Sequence, residues 1–295
     1  MKAPLSWLKE FAQVADTITI AQIEESFINS GFEVESVEEI GKDITGPLVV
    51  AKVVSIEELT GHKKPIRYVG IDCGEGETRF VICGARNFEV GDHVVAALPG
   101  AVLPGNFAIS ARETYDRVSD GMICSARELG ISQDHTGIIN LPKDTKIGAN
   151  AIEVLEIEDV IFDISVTPDR GYALSIRGLA RELAGAYNMP YHDPIYQTKP
   201  DEYQSGSNGV KVNIDDPTGA SDIFIRTIEN FDLDAKTPLW MSRRIEKCGM
   251  RSISLAVDIT NYVMLELGQP LHAFDADKIN GSLNIRRAGK SQTFQ

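Results

Sequence analysis

Between residues 48 and 124 the sequence alternates short apolar stretches with glycine and proline, which restricts this part of the chain to closely spaced strands. Five such stretches follow one another, at residues 48–56, 67–73, 78–83, 93–98 and 118–124. Residues 74–77, Gly-Glu-Gly-Glu, lie between the second and third stretches and predict a hairpin turn. Short strands joined at glycine and proline corners favour a small closed barrel, and we predict the five-stranded oligonucleotide-binding (OB) type.

Helix-start signals flank this strand-rich segment. Thr19, with Gln22 three residues later, forms a capping box and predicts a helix over residues 19–29. Ser125 with Glu128 repeats the pattern and predicts a short helix after the last strand. The strand-rich segment therefore lies between helical elements.

The second half of the chain alternates predicted helices and strands. A strand is predicted at residues 160–166, and Ser175 is placed to cap the helix that follows. Residues 193–209 are rich in proline, serine and glycine and predict a linker. Further on, the pattern predicts a helix that begins at Pro238 and ends before Gly249, a helix at residues 256–267 and a strand at residues 283–287.

The charge of the chain argues against a surface that binds nucleic acid by bulk electrostatics. The net charge is −14, and residues 40–150 hold 12 lysine and arginine side chains against 14 acidic ones. Clustered Lys and Arg drive binding to phosphate backbones, so any RNA contact must be local. The near-neutral segment 40–150 is the part of the chain that RNA repels least.

The sequence shows no sign of secretion or membrane insertion. No segment approaches the roughly 20 apolar residues that a membrane helix needs, and the amino terminus lacks a signal-like pattern. We therefore expect a cytoplasmic protein with no membrane or DNA partner. The four cysteines stand singly, without metal-ligand spacing, and predict buried free thiols and no metal site.

Three motif sets occur in an order typical of one known family. Pro-Leu-Ser-Trp-Leu-Lys-Glu occupies residues 4–10, Val-Ile-Cys-Gly-Ala residues 81–85, Ala-Leu-Pro-Gly-Ala-Val-Leu-Pro-Gly residues 97–105, and Thr260-Asn261 precedes Gln-Pro-Leu-His-Ala-Phe-Asp at residues 269–275. In these motifs the chain resembles the bacterial phenylalanyl-tRNA synthetase beta subunits, over essentially its whole length. Because those subunits are much longer, we expect this chain to be an amino-terminal fragment.

The resemblance implies an α+β multidomain architecture. Residues 1–39 and 151–192 are expected to form one discontinuous small α+β domain, into which the OB barrel, residues 40–150, is inserted. After the linker at residues 193–209, residues 210–295 are expected to form the start of an α/β editing domain, which is incomplete in this chain.

The resemblance also implies an editing pocket in the last domain. His272, the Thr260-Asn261 pair and Arg251 match family residues that line the pocket where tyrosine wrongly attached to the phenylalanine tRNA is hydrolysed. Without the surrounding motif, His272 between apolar neighbours would more simply be a histidine satisfied within the core. The family also uses pocket residues that would follow Gln295, so we expect the fragment alone to edit poorly.

The barrel segment resembles the tRNA-binding module shared by several synthetases and tRNA chaperones. That likeness selects Arg86, Asn87, Arg117 and Ser119 as candidate RNA contacts. The basic charge usual before the first glycine turn is partly kept at residues 62–64 and at Arg67. The alternative is that the glycines and prolines of these motifs only shape the corners of the barrel.

The resemblance implies a subunit of an α2β2 ligase that joins phenylalanine to tRNA(Phe). ATP and Mg²⁺ are expected to act in the alpha subunit and no cofactor in this chain, with the alpha subunit and tRNA(Phe) as partners. Two alternatives remain open, a free-standing tRNA-binding module without chemistry and a self-contained editing hydrolase. A tetramer subunit predicts large exposed apolar patches in residues 1–39 and 160–190, which a free module would bury.

Overall fold

A computed structural model describes the chain at residues 1–61, 65–131, 137–193, 195 and 209–293. Its helices are α1 (Leu5–Phe11), α2 (Ile20–Asn29), α3 (Ala151–Val154), α4 (Ile176–Ala186), α5 (Leu239–Lys247) and α6 (Leu255–Leu267), with 3₁₀ turns at Pro168–Ala173 and Ala276–Lys278. Its strands are β1 (Lys2–Pro4), β2 (Glu33–Ile40), β3 (Leu48–Leu59), β4 (Ile66–Asp72), β5 (Thr78–Cys83), β6 (His93–Ala97), β7 (Val102–Leu103), β8 (Phe107–Ala108), β9 (Arg112–Thr114), β10 (Arg117–Ser119), β11 (Met122–Ile123), β12 (Asn140–Leu141), β13 (Asp159–Ser165), β14 (Lys211–Ile214) and β15 (Ser282–Ile285).

The middle of the chain forms a curled antiparallel sheet in the order β11-β6-β3-β4-β5, with β12 also paired to β6. The four long predicted strands are confirmed as β3 to β6. The predicted fifth strand is wrong as one element, since β10 pairs with β9 in a separate hairpin and only β11 joins β6. Gly121 causes the break, because its φ of 126° lies outside the range of a regular strand.

The two ends of the curled sheet approach each other. The Asp120 N–H, just after β10, donates a hydrogen bond of 2.8 Å to the Phe80 carbonyl of β5. The Ile82 N–H donates to the Ser119 hydroxyl over 2.9 Å. Successive residues of β3 and β6 alternate between two buried apolar clusters, which lie on opposite faces of the sheet.

A second, three-stranded antiparallel sheet has the order β1-β13-β2. Helices α1, α2 and α4 lie against it, and Trp7, Phe27, Phe162 and Leu179 are buried in their shared core. The strand predicted at residues 160–166 and the helix predicted after Ser175 are confirmed. This core therefore joins the beginning of the chain to residues that follow the curled sheet.

The two predicted capping boxes have different outcomes. Thr19 and Gln22 form theirs at the start of α2, with both reciprocal hydrogen bonds present. Ser125 and Glu128 also exchange hydrogen bonds, at 2.7 and 3.3 Å, but they close a turn, and the described residues 126–131 contain no helix. Gly130, with a φ of 66°, leaves the helical region two residues later, so the predicted helix is wrong.

The last part of the chain contains α5, α6 and a parallel pair of strands, β14 and β15. Both predicted helices are confirmed, and Gly268 ends α6 with a φ of 79°. Ile245 of α5 and Leu265 of α6 are buried in the same core as Trp7. The linker predicted at residues 193–209 falls almost entirely outside the described residues.

Residues 1–39 and 160–190, which are all described, bury most of their apolar side chains. The large exposed apolar residues there are Ile28, Tyr172 and Leu174, at 52%, 42% and 53% of full exposure. The extended patches expected of a tetramer subunit are therefore not seen in these two ranges. No helix in the described part of the chain is long and apolar enough to cross a membrane.

The cysteines are free thiols, as predicted. Cys73, Cys83 and Cys124 are buried and Cys248 is half-buried. Burial raises the pKa of the Cys124 thiol to about 12, and the nearby Glu128 carboxylate acts in the same direction. These thiols therefore stay protonated at neutral pH.

Candidate functional site

Arg86, a candidate RNA contact, is held by a carboxylate in this structure. Its guanidinium lies 2.5 Å from Glu58 Oε1, which Arg67 also contacts at 2.9 Å. Desolvation raises the pKa of Glu58, but hydrogen bonds from Arg67 and Arg86 outweigh it and lower that pKa below its ordinary value. A phosphate would have to compete with an ionised Glu58 for Arg86.

Asn87 joins two distant segments of the chain. Its Nδ2 donates to the Ile138 carbonyl over 2.9 Å, and its Oδ1 accepts from the Ile138 N–H over 3.0 Å. The Asn87 carbonyl in turn accepts a hydrogen bond of 2.7 Å from the Asn140 side chain. A Cβ at Gly137 would lie 2.4 Å from the Asn87 side chain, so the two residues pack in direct contact. Both ends of the side-chain amide are therefore hydrogen-bonded within the fold.

Ser119 and Arg117 both lie on β10. The Ser119 hydroxyl accepts from the Ile82 N–H and donates to the Gly121 carbonyl over 3.1 Å, so it closes the end of the curled sheet. Arg117 lies over the Tyr68 ring at 5.7 Å and contacts Glu57 at 3.4 Å, with nearly half of its side chain exposed. Of the two, Arg117 is the one available to an external partner.

The sequence did not single out Arg112. Its guanidinium lies over the exposed Phe107 ring at 5.7 Å, and no carboxylate of the described residues pairs with it. Arg112 and Phe107 line a groove of about 200 Å³ that also includes Ser119. An exposed arginine beside an aromatic ring is the pattern that could have identified this site. The basic residues 62–64 of the sequence prediction lie outside the described part.

Helix α6 carries two of the four candidate editing residues. Thr260 and Asn261 are half-buried on it, and the Thr260 hydroxyl donates to the Val257 carbonyl over 2.6 Å. Arg251 is exposed in the loop that precedes the helix. The loop is held to α6 through Asp258, which the sequence prediction missed.

His272 is exposed in the irregular segment after α6. Its ring lies 6.2 Å from that of Phe274, which is 63% exposed. The hydrogen bonds and ring contacts of the described residues do not link His272 to Thr260, Asn261 or Arg251. The structure therefore places Thr260 and Asn261 together and leaves the four-residue pocket a prediction.

Helix α5 anchors this region to the rest of the chain. The Lys247 ammonium lies 2.7 Å from Asp159 of β13, and both side chains are 2% exposed. Arg244 pairs with Glu10 of α1 and lies over the Trp7 ring at 5.3 Å. Helix α6, which carries Thr260 and Asn261, packs into the same core as α5 through Leu265.

Two protein-family models match the chain. The one described as "Putative tRNA binding domain" matches residues 48–150, which contain the curled sheet. The one described as "B3/4 domain" matches residues 219–295, which contain α5, α6 and all four candidate editing residues.

Several curated proteins similar to this chain carry the name phenylalanine–tRNA ligase beta subunit. The protein from Streptomyces avermitilis is 52% identical over 99% of this chain, and that from Thermobifida fusca is 52% identical over 100%. The protein from Mycolicibacterium paratuberculosis is 48% identical over 99%. The chain spans about 35% of the length of these relatives.

Among solved structures, a match to the CsaA chaperone protein from Picrophilus torridus covers 35% of this chain and 87% of the CsaA chain. Its TM-score is 0.26 at 13% identity, too low to carry a structural argument.

Proposed function

Because the chain belongs to the phenylalanine–tRNA ligase beta subunit family, we propose that it serves a ligase that joins L-phenylalanine to tRNA(Phe), with ATP converted to AMP and diphosphate. The identity of 52% along 99% of the chain carries this proposal. Within that ligase, this chain supplies a tRNA-binding surface and part of an editing site.

The tRNA-binding surface is assigned to the curled sheet. The match of residues 48–150 to a tRNA-binding family supports this assignment. We propose that the sheet works as an OB-type barrel, closed where Asp120 and Ser119 bond to β5. Arg112, over the exposed Phe107 ring, and Arg117, over the half-buried Tyr68 ring, are the residues best placed for RNA, ahead of Arg86, Asn87 and Ser119.

The editing function is assigned to Arg251, Thr260, Asn261 and His272. Tyrosine differs from phenylalanine by one hydroxyl, and a pocket for an apolar side chain rejects an added hydroxyl only about 100-fold, so a second site that hydrolyses Tyr-tRNA is needed. There, water adds to the ester carbonyl, the ester C–O bond breaks, and tyrosine and the tRNA hydroxyl are released. A neutral histidine can position that water, and a guanidinium can hold the terminal phosphates.

The partners are proposed from the same family alone, since residues 1–39 and 160–190 show no extended apolar patch that would favour a tetramer subunit over a free module. We propose that the chain assembles with the ligase alpha subunit as α2β2, in the cytoplasm, and binds tRNA(Phe). Activation of phenylalanine with ATP and Mg²⁺ is assigned to the alpha subunit, and neither is assigned to residues of this chain. The chain alone is therefore expected to give no phenylalanine-dependent ATP–pyrophosphate exchange.

The proposal is tested with His272→Ala in a ligase whose beta subunit carries this sequence. We expect phenylalanine charging to stay within about twofold, and hydrolysis of Tyr-tRNA(Phe) to fall about 10²-fold or more if His272 positions the attacking water. His192→Ala, which changes an exposed histidine outside the editing segment, is the matched control. Equal hydrolysis by both variants would remove His272 from the site.

The two alternatives give different results. A free-standing tRNA-binding module would bind tRNA and leave both charging and hydrolysis unchanged when it is added or removed. A self-contained hydrolase would deacylate Tyr-tRNA(Phe) efficiently as the purified chain, without the alpha subunit. Copurification with the alpha subunit together with recovered charging supports the ligase.

A further inference from the structure

The carboxylate of Asp258 is buried at the junction of three segments. It lies on α6, two residues before Thr260, and its side chain is fully buried. Its Oδ2 accepts hydrogen bonds from the hydroxyls of Thr237 and Ser252, the latter at 2.6 Å. Its Oδ1 accepts the Ile253 N–H over 2.9 Å.

Such a carboxylate is costly to bury, since desolvation of a charge must be compensated by partners. No lysine or arginine of the described chain pairs with Asp258, so the compensation comes from three neutral donors and from its position near the amino-terminal end of α6. Ser254, the residue that precedes the helix, makes no capping hydrogen bond with its side chain. Asp258 instead satisfies the adjacent Ile253 N–H.

Two of the three hydrogen bonds fix the loop that carries Arg251. Ser252 and Ile253, the next two residues, are both held to Asp258, while Thr260 and Asn261 lie two and three residues further along the same helix, within one turn of Asp258. Arg251 has a long flexible side chain, so its reach depends on where this loop holds its backbone. The backbone of this loop is thus tied directly to the helix.

We propose that Asp258 is a positioning residue that sets the place of Arg251 relative to Thr260 and Asn261. This inference rests on the proposed editing function, and the ligand is the phosphate-bearing end of an aminoacyl-tRNA. Asp258 acts through Arg251 and does not touch the ester. The Thr237 hydroxyl donates a hydrogen bond to the same carboxylate from the side of α5, away from Arg251.

The two hydroxyl donors provide a matched pair of variants in the assembled ligase. Ser252→Ala and Thr237→Val each remove one hydrogen bond to the same oxygen, and only Ser252 adjoins Arg251. We expect similar losses of melting temperature, but a rise of about tenfold in the KM for Tyr-tRNA(Phe) hydrolysis in Ser252→Ala alone. Ser252→Ala should add little to the KM of Arg251→Ala, because both act through the same guanidinium.

Equal KM values for the two hydroxyl variants, or full additivity with Arg251→Ala, would overturn the positioning role. Amide hydrogen exchange at Ile253 separates this failure from failure of the proposed function. One outcome is faster exchange in Ser252→Ala, in a ligase whose parent hydrolyses no Tyr-tRNA(Phe). It would refute the editing function and with it the positioning role, while the hydrogen bonds that hold the loop to Asp258 would stand. Unchanged exchange at Ile253 in Ser252→Ala would show that the hydrogen bonds to Asp258 do not hold the loop.

Discussion

At the scale of single residues, the side chains that motifs select for RNA contact divide into two kinds. The side chains of Asn87 and Ser119 are hydrogen-bonded to backbone atoms of neighbouring segments. Arg86 and Arg117 are half-exposed and held by single glutamates. A motif residue can thus be required by the fold without touching the ligand.

Asn87→Ala tests this distinction. The variant leaves the N–H and carbonyl of the buried Ile138 without their partners, so we expect the free energy of unfolding to fall by about 1–3 kcal/mol. Arg86→Ala removes an exposed ion pair and is expected to cost at most about 1 kcal/mol. Denaturant unfolding of both variants measures the difference. An Asn87→Ala protein of unchanged stability with weakened tRNA binding would instead make Asn87 a direct RNA contact.

At the scale of elements, α5 is the connecting helix of the molecule. Three basic residues on it reach three different parts of the chain. Arg243 donates to the Ile131 carbonyl beside the curled sheet over 2.9 Å, Arg244 pairs with Glu10, and Lys247 pairs with Asp159. The position of the candidate editing segment therefore depends on α5, together with the packing of Tyr262 of α6 on Trp7.

Lys247→Met tests the role of this helix. Removing the ammonium leaves the Asp159 carboxylate buried without its cation, so we expect a loss of about 3–5 kcal/mol in the free energy of unfolding. The control is Lys9→Met, because Lys9 pairs with Asp16 at 3.1 Å where the Asp16 side chain is 98% exposed. That variant is expected to change stability by less than about 1 kcal/mol. Similar losses in the two variants would show that the buried pair does not hold α5.

Much of the element order could be predicted because its signals are local. The capping box of α2, the hairpin between β4 and β5 and the long strands of the curled sheet each depend on residues a few positions apart. The failures are long-range or depend on backbone angles. Asn87 meets Ile138 across 51 positions, Lys247 meets Asp159 across 88, and Gly121 breaks a strand through its φ. The periodic spacing of apolar residues along the sequence carries no information about these long-range contacts or this backbone angle.

At the scale of the whole molecule, charge restricts how RNA can bind. The net charge is −14, and the arginines Arg67, Arg79, Arg86 and Arg117 of the curled-sheet region are each paired with a carboxylate. A phosphate gains little from an arginine that must first leave its carboxylate. Among the described residues of this region, only a few cations are therefore free to displace the counterions of tRNA.

The salt dependence of tRNA binding follows from this pairing. With about three phosphate contacts, the affinity of the chain should be weak and fall about 20- to 40-fold between 50 and 200 mM salt, whereas proteins with 6–10 contacts lose about 10³–10⁵. Arg112→Ala should lower the slope of log affinity against log salt by about one, because Arg112 has no carboxylate partner among the described residues. Arg79→Ala should barely change it, since Arg79 pairs with both Glu75 and Asp120. Titration of the chain with tRNA at several salt concentrations measures all three slopes. An affinity that does not change with salt would show that stacking on the exposed rings, and not phosphate contact, holds the RNA.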